Sequence, residues 1–309
     1  MDQHKRGPRE VPPDEYQALM EAPFARSIRR VGLVALLTEE GKAEGKGTAF
    51  FVKVGNKSLV LTARHVVRIE RDDAPAAVWP FTPRSVRLMV FSRDADLQSE
   101  SQPIGFPLTE ADILWEDPRL DAVAFAAPAA LVANGECDFP DVNIEEDFRA
   151  LQNIRARPSE IQTRLPCFIA GFPNLTHVVD TTPRMERLGF LRAPAFIQRM
   201  PDSTWDGLSS RAPQVEVRLE FGDLSPMLPT GLTPVAARWA KLLTSVPENE
   251  RPLLGGFSGG PVFIVHEDGE TVLGIMKEGG PRFEDHIVAW LSPWDDVLKR
   301  LHERLQTAT

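Results

Sequence analysis

The stretch Leu254-Gly255-Gly256-Phe257-Ser258-Gly259-Gly260-Pro261-Val262 sets one serine among glycines and ends in a proline step. Gly256 and Gly259 admit positive φ, so the backbone can turn sharply and approach a ligand closely. A turn of this kind aims successive N–H groups at one point, where an oxyanion would develop. Pro261 then fixes φ, and Val262-Phe263-Ile264-Val265 is a β-branched and aromatic run that predicts a strand.

A serine alone is a weak nucleophile and needs a base. One histidine stands in a specific setting, Leu59-Val60-Leu61-Thr62-Ala63-Arg64-His65-Val66-Val67. Between it and the serine lies Leu120-Asp121-Ala122-Val123-Ala124-Phe125, an acid opening an apolar strand. Asp112 and Asp117 are nearby acids, but the apolar alternation begins only after Asp121, which puts that residue at a rim. Gly-x-Ser-x-Gly also describes the nucleophile elbow of α/β-hydrolases. That elbow runs directly into a helix and needs a downstream acid and histidine. Here strand residues follow, and His266, His286 and His302 have no comparable setting.

With Thr-Ala-x-His, the strand-opening Asp and Gly-x-Ser-Gly-Gly-Pro in that order, the chain resembles the trypsin-like (chymotrypsin-fold) serine peptidases. It is closest in style to intracellular and bacterial members without disulfides. The strand Gly47-Thr48-Ala49-Phe50-Phe51-Val52 and Gly274-Ile275 also fit, and the resemblance covers roughly residues 28–306. It implies an all-β fold of two antiparallel six-stranded β-barrels with the site between them. It implies a triad in which Ser258 attacks, His65 moves the proton and Asp121 orients the histidine. The N–H groups of Gly256 and Ser258 would form the oxyanion hole. The implied substrate is a protein or peptide, and no cofactor is implied. By family register, Pro252 lies at the base of the specificity pocket and Lys277-Glu278-Gly279 form its wall. No acid stands at the base, which favours an apolar or small residue over Arg or Lys. The alternative function is a catalytically silent peptide-binding or scaffold protein on the same fold.

Two features depart from the family pattern. Phe257 precedes the serine, where secreted members usually carry Asp. Asp121 and Ser258 are 137 positions apart, long for a linker and a second barrel. Arg30-Val31-Gly32-Leu33 superficially resembles an activation cleavage site. Phe257 has no charge to receive a new ammonium, so activation there is not expected. The oxyanion turn is expected to be set by packing of Phe257, or by an activating partner or ligand acting on residues 223–256.

The 309 residues carry a net charge of −9 and 42% hydrophobic residues. Such a chain builds an ordinary core, and its acidity argues against nucleic acid or an anionic membrane as partner. Two cysteines, Cys137 and Cys167, make no disulfide framework, which favours a reducing compartment. Residues 1–19 lack an apolar signal-peptide core, and no 18-residue apolar run spans a membrane. The reading is therefore cytoplasmic. No metal-ligand spacing and no nucleotide fingerprint occur. Cys167 sits in an apolar run and is read as core.

Along the chain, residues 1–27 form a polar, proline-bearing extension. Residues 28–126 form the first barrel, with strands at 31–37, 48–54, 58–63, 86–91, 113–115 and 122–126 and exposed loops at 39–46 and 70–84. Residues 127–163 form a linker with a helix near 145–157. Residues 164–309 form the second barrel, with strands from 165 and at 215–221. Two helices are argued in this part. Thr233 and Pro234 open one that runs over 233–246 and ends before Pro247. The other runs over 292–306, with Ser292 as cap and Trp294, Val297, Leu298, Leu301 and Leu305 as its apolar stripe.

Overall fold

A computed structural model describes residues 29–37, 43–68, 86–90, 104–163, 165–172, 191–209, 212–220, 254–266, 269–283 and 285–307. The expected extension over 1–27, the loop over 70–84, the helix over 233–246 and the candidate pocket residue Pro252 lie outside the described residues.

Thirteen strands are described, all paired antiparallel. The first seven are β1 (Val31–Leu37), β2 (Ala43–Val54), β3 (Lys57–Ala63), β4 (Val86–Val90), β5 (Ile104–Leu108), β6 (Ile113–Asp117) and β7 (Ala122–Ala126). They form one sheet in the order β5-β4-β1-β2-β3-β7-β6. The remaining six are β8 (Pro166–Gly171), β9 (Leu191–Arg199), β10 (Val215–Glu220), β11 (Pro261–His266), β12 (Gly269–Arg282) and β13 (His286–Pro293). They close into a barrel in the order β10-β13-β12-β11-β8-β9.

The expectation of two six-stranded barrels is thus corrected in its first half. Among the described residues the N-terminal sheet has seven strands, and no ladder joins its edges β5 and β6. It is nonetheless curled. The 3-10 turn Glu110–Asp112 connects the two edges, and five residue steps reach at most about 18 Å. Asp112 stabilises that turn by accepting from Thr109 N at 2.9 Å and from Thr109 Oγ1 at 2.7 Å.

Strands of this sheet read as continuous apolar runs because both of their faces are covered. On β2 and β3, Phe50, Val52, Leu59 and Leu61 face the core shared with the barrel. Ala49, Phe51, Val60 and Ala63 face the interior of the curled sheet. Phe50 is the centre of the junction between the halves. Its ring meets Phe263 of β11 edge-on at 6.0 Å and lies 5.7 Å from Trp294. Such aromatic pairs add about 0.5–1.5 kcal/mol each beyond the area they bury.

The helix expected near 145–157 runs Ile144–Arg155, capped by the Asn143 side chain, which accepts from Glu146 N at 3.4 Å. It lies against the C-terminal helix Trp294–Thr307, where Arg155 pairs with the buried Asp295. Trp294, Val297, Leu298 and Leu301 are buried as the stripe predicts, and Leu305 packs at its edge. The start of that helix is corrected. Ser292 belongs to β13, and its hydroxyl donates across the junction to Leu120 O instead of capping. Among the described residues no helix is long and apolar enough to cross a membrane.

Candidate active site

His65 sits on the single helical turn Arg64–Val67 that ends β3. Val66 and Val67 are buried and anchor the turn, while the His65 side chain stays 48% exposed. Asp121 holds this turn at three points. Its backbone carbonyl accepts from Arg64 N at 2.9 Å, and Oδ1 accepts from His65 N at 2.9 Å. Oδ2 lies 2.6 Å from His65 Nδ1. The local chain is bent to allow this. Asp117 Oδ1 accepts from Arg119 N and Leu120 N, at 2.8 and 3.1 Å, closing a tight turn. Asp121 itself has φ of 49°, an uncommon left-handed conformation that costs roughly 1–2 kcal/mol in a non-glycine residue. The bonds to His65 help to hold it there.

The serine turn is built as the glycines suggest. Gly256 has φ of 90° and Gly259 of 88°. Position 259 excludes a side chain for a second reason: a Cβ there would lie 2.1 Å from Thr48 O and 2.2 Å from Thr62 Oγ1. Each peptide around the serine has a fixed partner. Phe257 N donates to Leu254 O at 3.2 Å, Gly260 N to Phe257 O at 2.8 Å, and Gly259 N to Met276 O at 2.7 Å. Thr48 N donates to Ser258 O at 2.7 Å. Ser258 is 8% exposed, and Phe257 beside it is fully buried.

The two halves of the site meet through these contacts. A Cβ on Gly259 would lie 2.8 Å from the backbone nitrogen of Ala63, two residues before His65. The serine turn is therefore seated on the strand end that carries the histidine turn. On the other side, Met276 of β12 exchanges backbone bonds with Gly259 and Gly260. Lys277, Glu278 and Gly279 follow directly on that strand, and Gly279 faces Leu254, 3.5 Å from where its Cβ would be. Glu278 and Gly279 are exposed, and Lys277 is half-buried.

Sequence reasoning missed two residues that position the site. Thr48 was read only as part of a strand, and Ser292 as a helix cap. The signal for Thr48 was a hydroxyl in an otherwise apolar run, Ala49-Phe50-Phe51-Val52, which must find partners once buried. Of the two free cysteines, Cys167 is buried in the core, and burial pushes its thiol up. Cys137 is pushed up to about 12, chiefly by burial and then by Glu136 and Asp138. Neither is poised as a thiolate nucleophile.

No family model matches the chain, and no curated protein matches it. Among solved structures, the chain is similar to a thermostable serine protease AL20 from an extremophilic microorganism. The two are 12% identical with a TM-score of 0.42, over 91% of this chain and 99% of that one.

Proposed function

We propose that the chain is a serine endopeptidase acting on protein or peptide substrates. The observation that carries this reading is the two-point bonding of His65 by the Asp121 carboxylate, with the Ser258 turn seated on the strand that leads into that histidine. In this reading Ser258 Oγ attacks the scissile carbonyl carbon, and His65 Nε2 takes the hydroxyl proton. Asp121 Oδ2 accepts a hydrogen bond from Nδ1–H without taking the proton, which fixes the tautomer and stabilises the imidazolium. The N–H groups of Gly256 and Ser258 donate to the oxyanion. His65 then protonates the leaving amine as the C–N bond breaks. Water, deprotonated by the same histidine, hydrolyses the acyl-enzyme ester and restores Ser258.

In this reading the pocket for the residue before the cleaved bond has Lys277, Glu278 and Gly279 as its wall, with Leu254 beside Gly279, and Pro252 at its base, where no acid stands. That composition suits an apolar or small side chain. The reading needs no cofactor. It places the protein in the cytoplasm, and it assigns the turn's active shape to Phe257 packing or to a partner or ligand acting on 223–256.

A fluorophosphonate probe tests the proposal. Wild-type protein should be labelled covalently, and Ser258→Ala should not. A folded wild type that neither labels nor cleaves peptides would instead favour a silent peptide-binding scaffold.

A further inference from the structure

We infer that Thr48 is a positioning residue of the proposed reaction, its buried hydroxyl holding the turn that presents the Gly256 and Ser258 N–H groups. This inference rests on the peptidase reading and extends it to a residue outside the triad.

Thr48 lies on β2 and is fully buried. Its three polar groups make four hydrogen bonds that tie together three segments. Its hydroxyl donates to Gly256 O at 2.8 Å and accepts from Phe172 N at 3.0 Å, just beyond the end of β8. Its N–H donates to Ser258 O at 2.7 Å. Its carbonyl accepts from Thr62 Oγ1 at 2.7 Å, three residues before His65. One residue thus holds the carbonyls of Gly256 and Ser258, the two residues whose N–H groups would form the oxyanion hole.

The turn needs such a restraint. Gly256 stands at φ of 90°, and a glycine there can swing into other conformations at little steric cost. A peptide unit is planar, so fixing Gly256 O fixes the plane that runs into Phe257. The backbone bond from Thr48 to Ser258 is available to every residue except proline at position 48. The bond to Gly256 belongs to the side chain alone, and a hydroxyl donates to Gly256 and accepts from Phe172 through one atom. The approach is close on the other side too: a Cβ on Gly171 would lie 2.5 Å from Thr48 Oγ1.

A structural role alone would alter stability and leave the chemical step unchanged in the folded fraction. The experiment therefore measures fluorophosphonate labelling of wild type, Thr48→Val, Thr48→Ala and Thr48→Ser, resolved into kinact and KI, with melting temperatures alongside. The probe's phosphoryl oxygen would take up the same two N–H groups. Losing a direct oxyanion donor costs about 100- to 1000-fold, so a residue acting through the turn should cost roughly 10- to 100-fold. Thr48→Val and Thr48→Ala should lose that factor in kinact, with KI within about threefold of wild type. Thr48→Ser keeps the hydroxyl and should stay within about threefold in both constants. If Val does not fold, the comparison of Ala with Ser decides. A hydroxyl-free variant that labels as fast as wild type would overturn the assignment, as would a Ser variant as slow as Val. If neither hydroxyl-free variant folds, Thr48 is a folding determinant and the assignment is also overturned. These outcomes leave the peptidase reading intact as long as wild type labels at Ser258. A wild type that does not label sinks that reading, and the role of Thr48 falls with it.

Discussion

The Ser292 hydroxyl donates to the carbonyl oxygen of Leu120, so the last barrel strand is bonded to the residue that precedes Asp121. Both partners are buried, and the bond crosses the junction between the open sheet and the barrel. The turn that delivers Asp121 to His65 is held from below by Asp117 and from the side by Ser292.

Removing that hydroxyl leaves the Leu120 carbonyl buried without its partner. Ser292→Ala should therefore cost about 1–3 kcal/mol of stability, measured by urea denaturation. It should also slow labelling of Ser258, because Asp121 sits one residue further on at a φ that its surroundings must enforce. An alanine variant with unchanged stability and labelling would show that the bond does not support the turn.

Substitutions in the proposed triad separate chemistry from folding. Ser258→Ala or His65→Ala should lower peptide-hydrolysis kcat by about four or more orders of magnitude. Asp121→Asn should cost roughly 10⁴, since the amide would favour the wrong tautomer of His65. Purified Ser258→Ala retaining activity within tenfold of wild type would exclude Ser258 as the nucleophile. The proposed triad chemistry uses no metal, so on this reading EDTA should leave activity unchanged; inhibition that zinc reverses would contradict it.

Asp296 gives a pH signature unrelated to the triad. Burial pushes its carboxyl up to about 6, and Asp295 adds to this; the Trp205 N–H bond, Arg155 and Lys299 pull the other way. Between the ordinary carboxylate range and pH 6 the folded chain holds this proton and the unfolded chain has released it. The unfolded state thus binds fewer protons, and stability falls as pH rises through that window. Asp296→Asn should flatten the fall, whose full extent is at most about 3 kcal/mol. Urea titrations of both proteins from pH 4 to 7 measure it; parallel curves would mean that Asp296 does not titrate there.

Much of this site was legible because its chemistry is local. Gly256 and Gly259 were singled out for positive φ, and both adopt it. Strands over Val31–Leu37 and Ala122–Ala126 lie where their apolar patterns put them. The strand Ile104–Leu108 was missed because Gly105 and Pro107 argue against a strand. It forms at a sheet edge, where a proline need not donate to a second neighbour. The strand Leu191–Arg199 was missed for a related reason: it carries Pro194, which lies beyond the end of its register with β10 at Phe196. Ser292 misled because its local sequence makes a good cap, and a distant carbonyl competed for the same hydroxyl. Whether the first sheet closes depends on two edge strands, and no local pattern specifies that pairing.

The final prediction concerns activation. Secreted members of the family that the sequence resembles gain activity when cleavage frees a new N-terminus that pairs with an acid before the serine. Arg30-Val31 is poorly placed for such a step. Val31 is buried in β1 opposite Phe50, and Arg30 O accepts from Phe51 N at 2.8 Å. Arg29 is tied to Asp138 by a backbone bond of 2.8 Å and an ion pair of 2.7 Å, and Arg30 lies 3.6 Å from Glu270. Freeing Val31 would unzip β1, an interior strand paired with both β2 and β4. Its ammonium would then reach a fully buried Phe257 and stay unpaired there, at a cost of several kcal/mol. The double variant Arg29→Ala/Arg30→Ala, confirmed intact by mass, should label at Ser258 as wild type does. If only wild-type chains beginning at Val31 label, and the uncleavable variant is folded yet inert, activation proceeds through that cleavage after all.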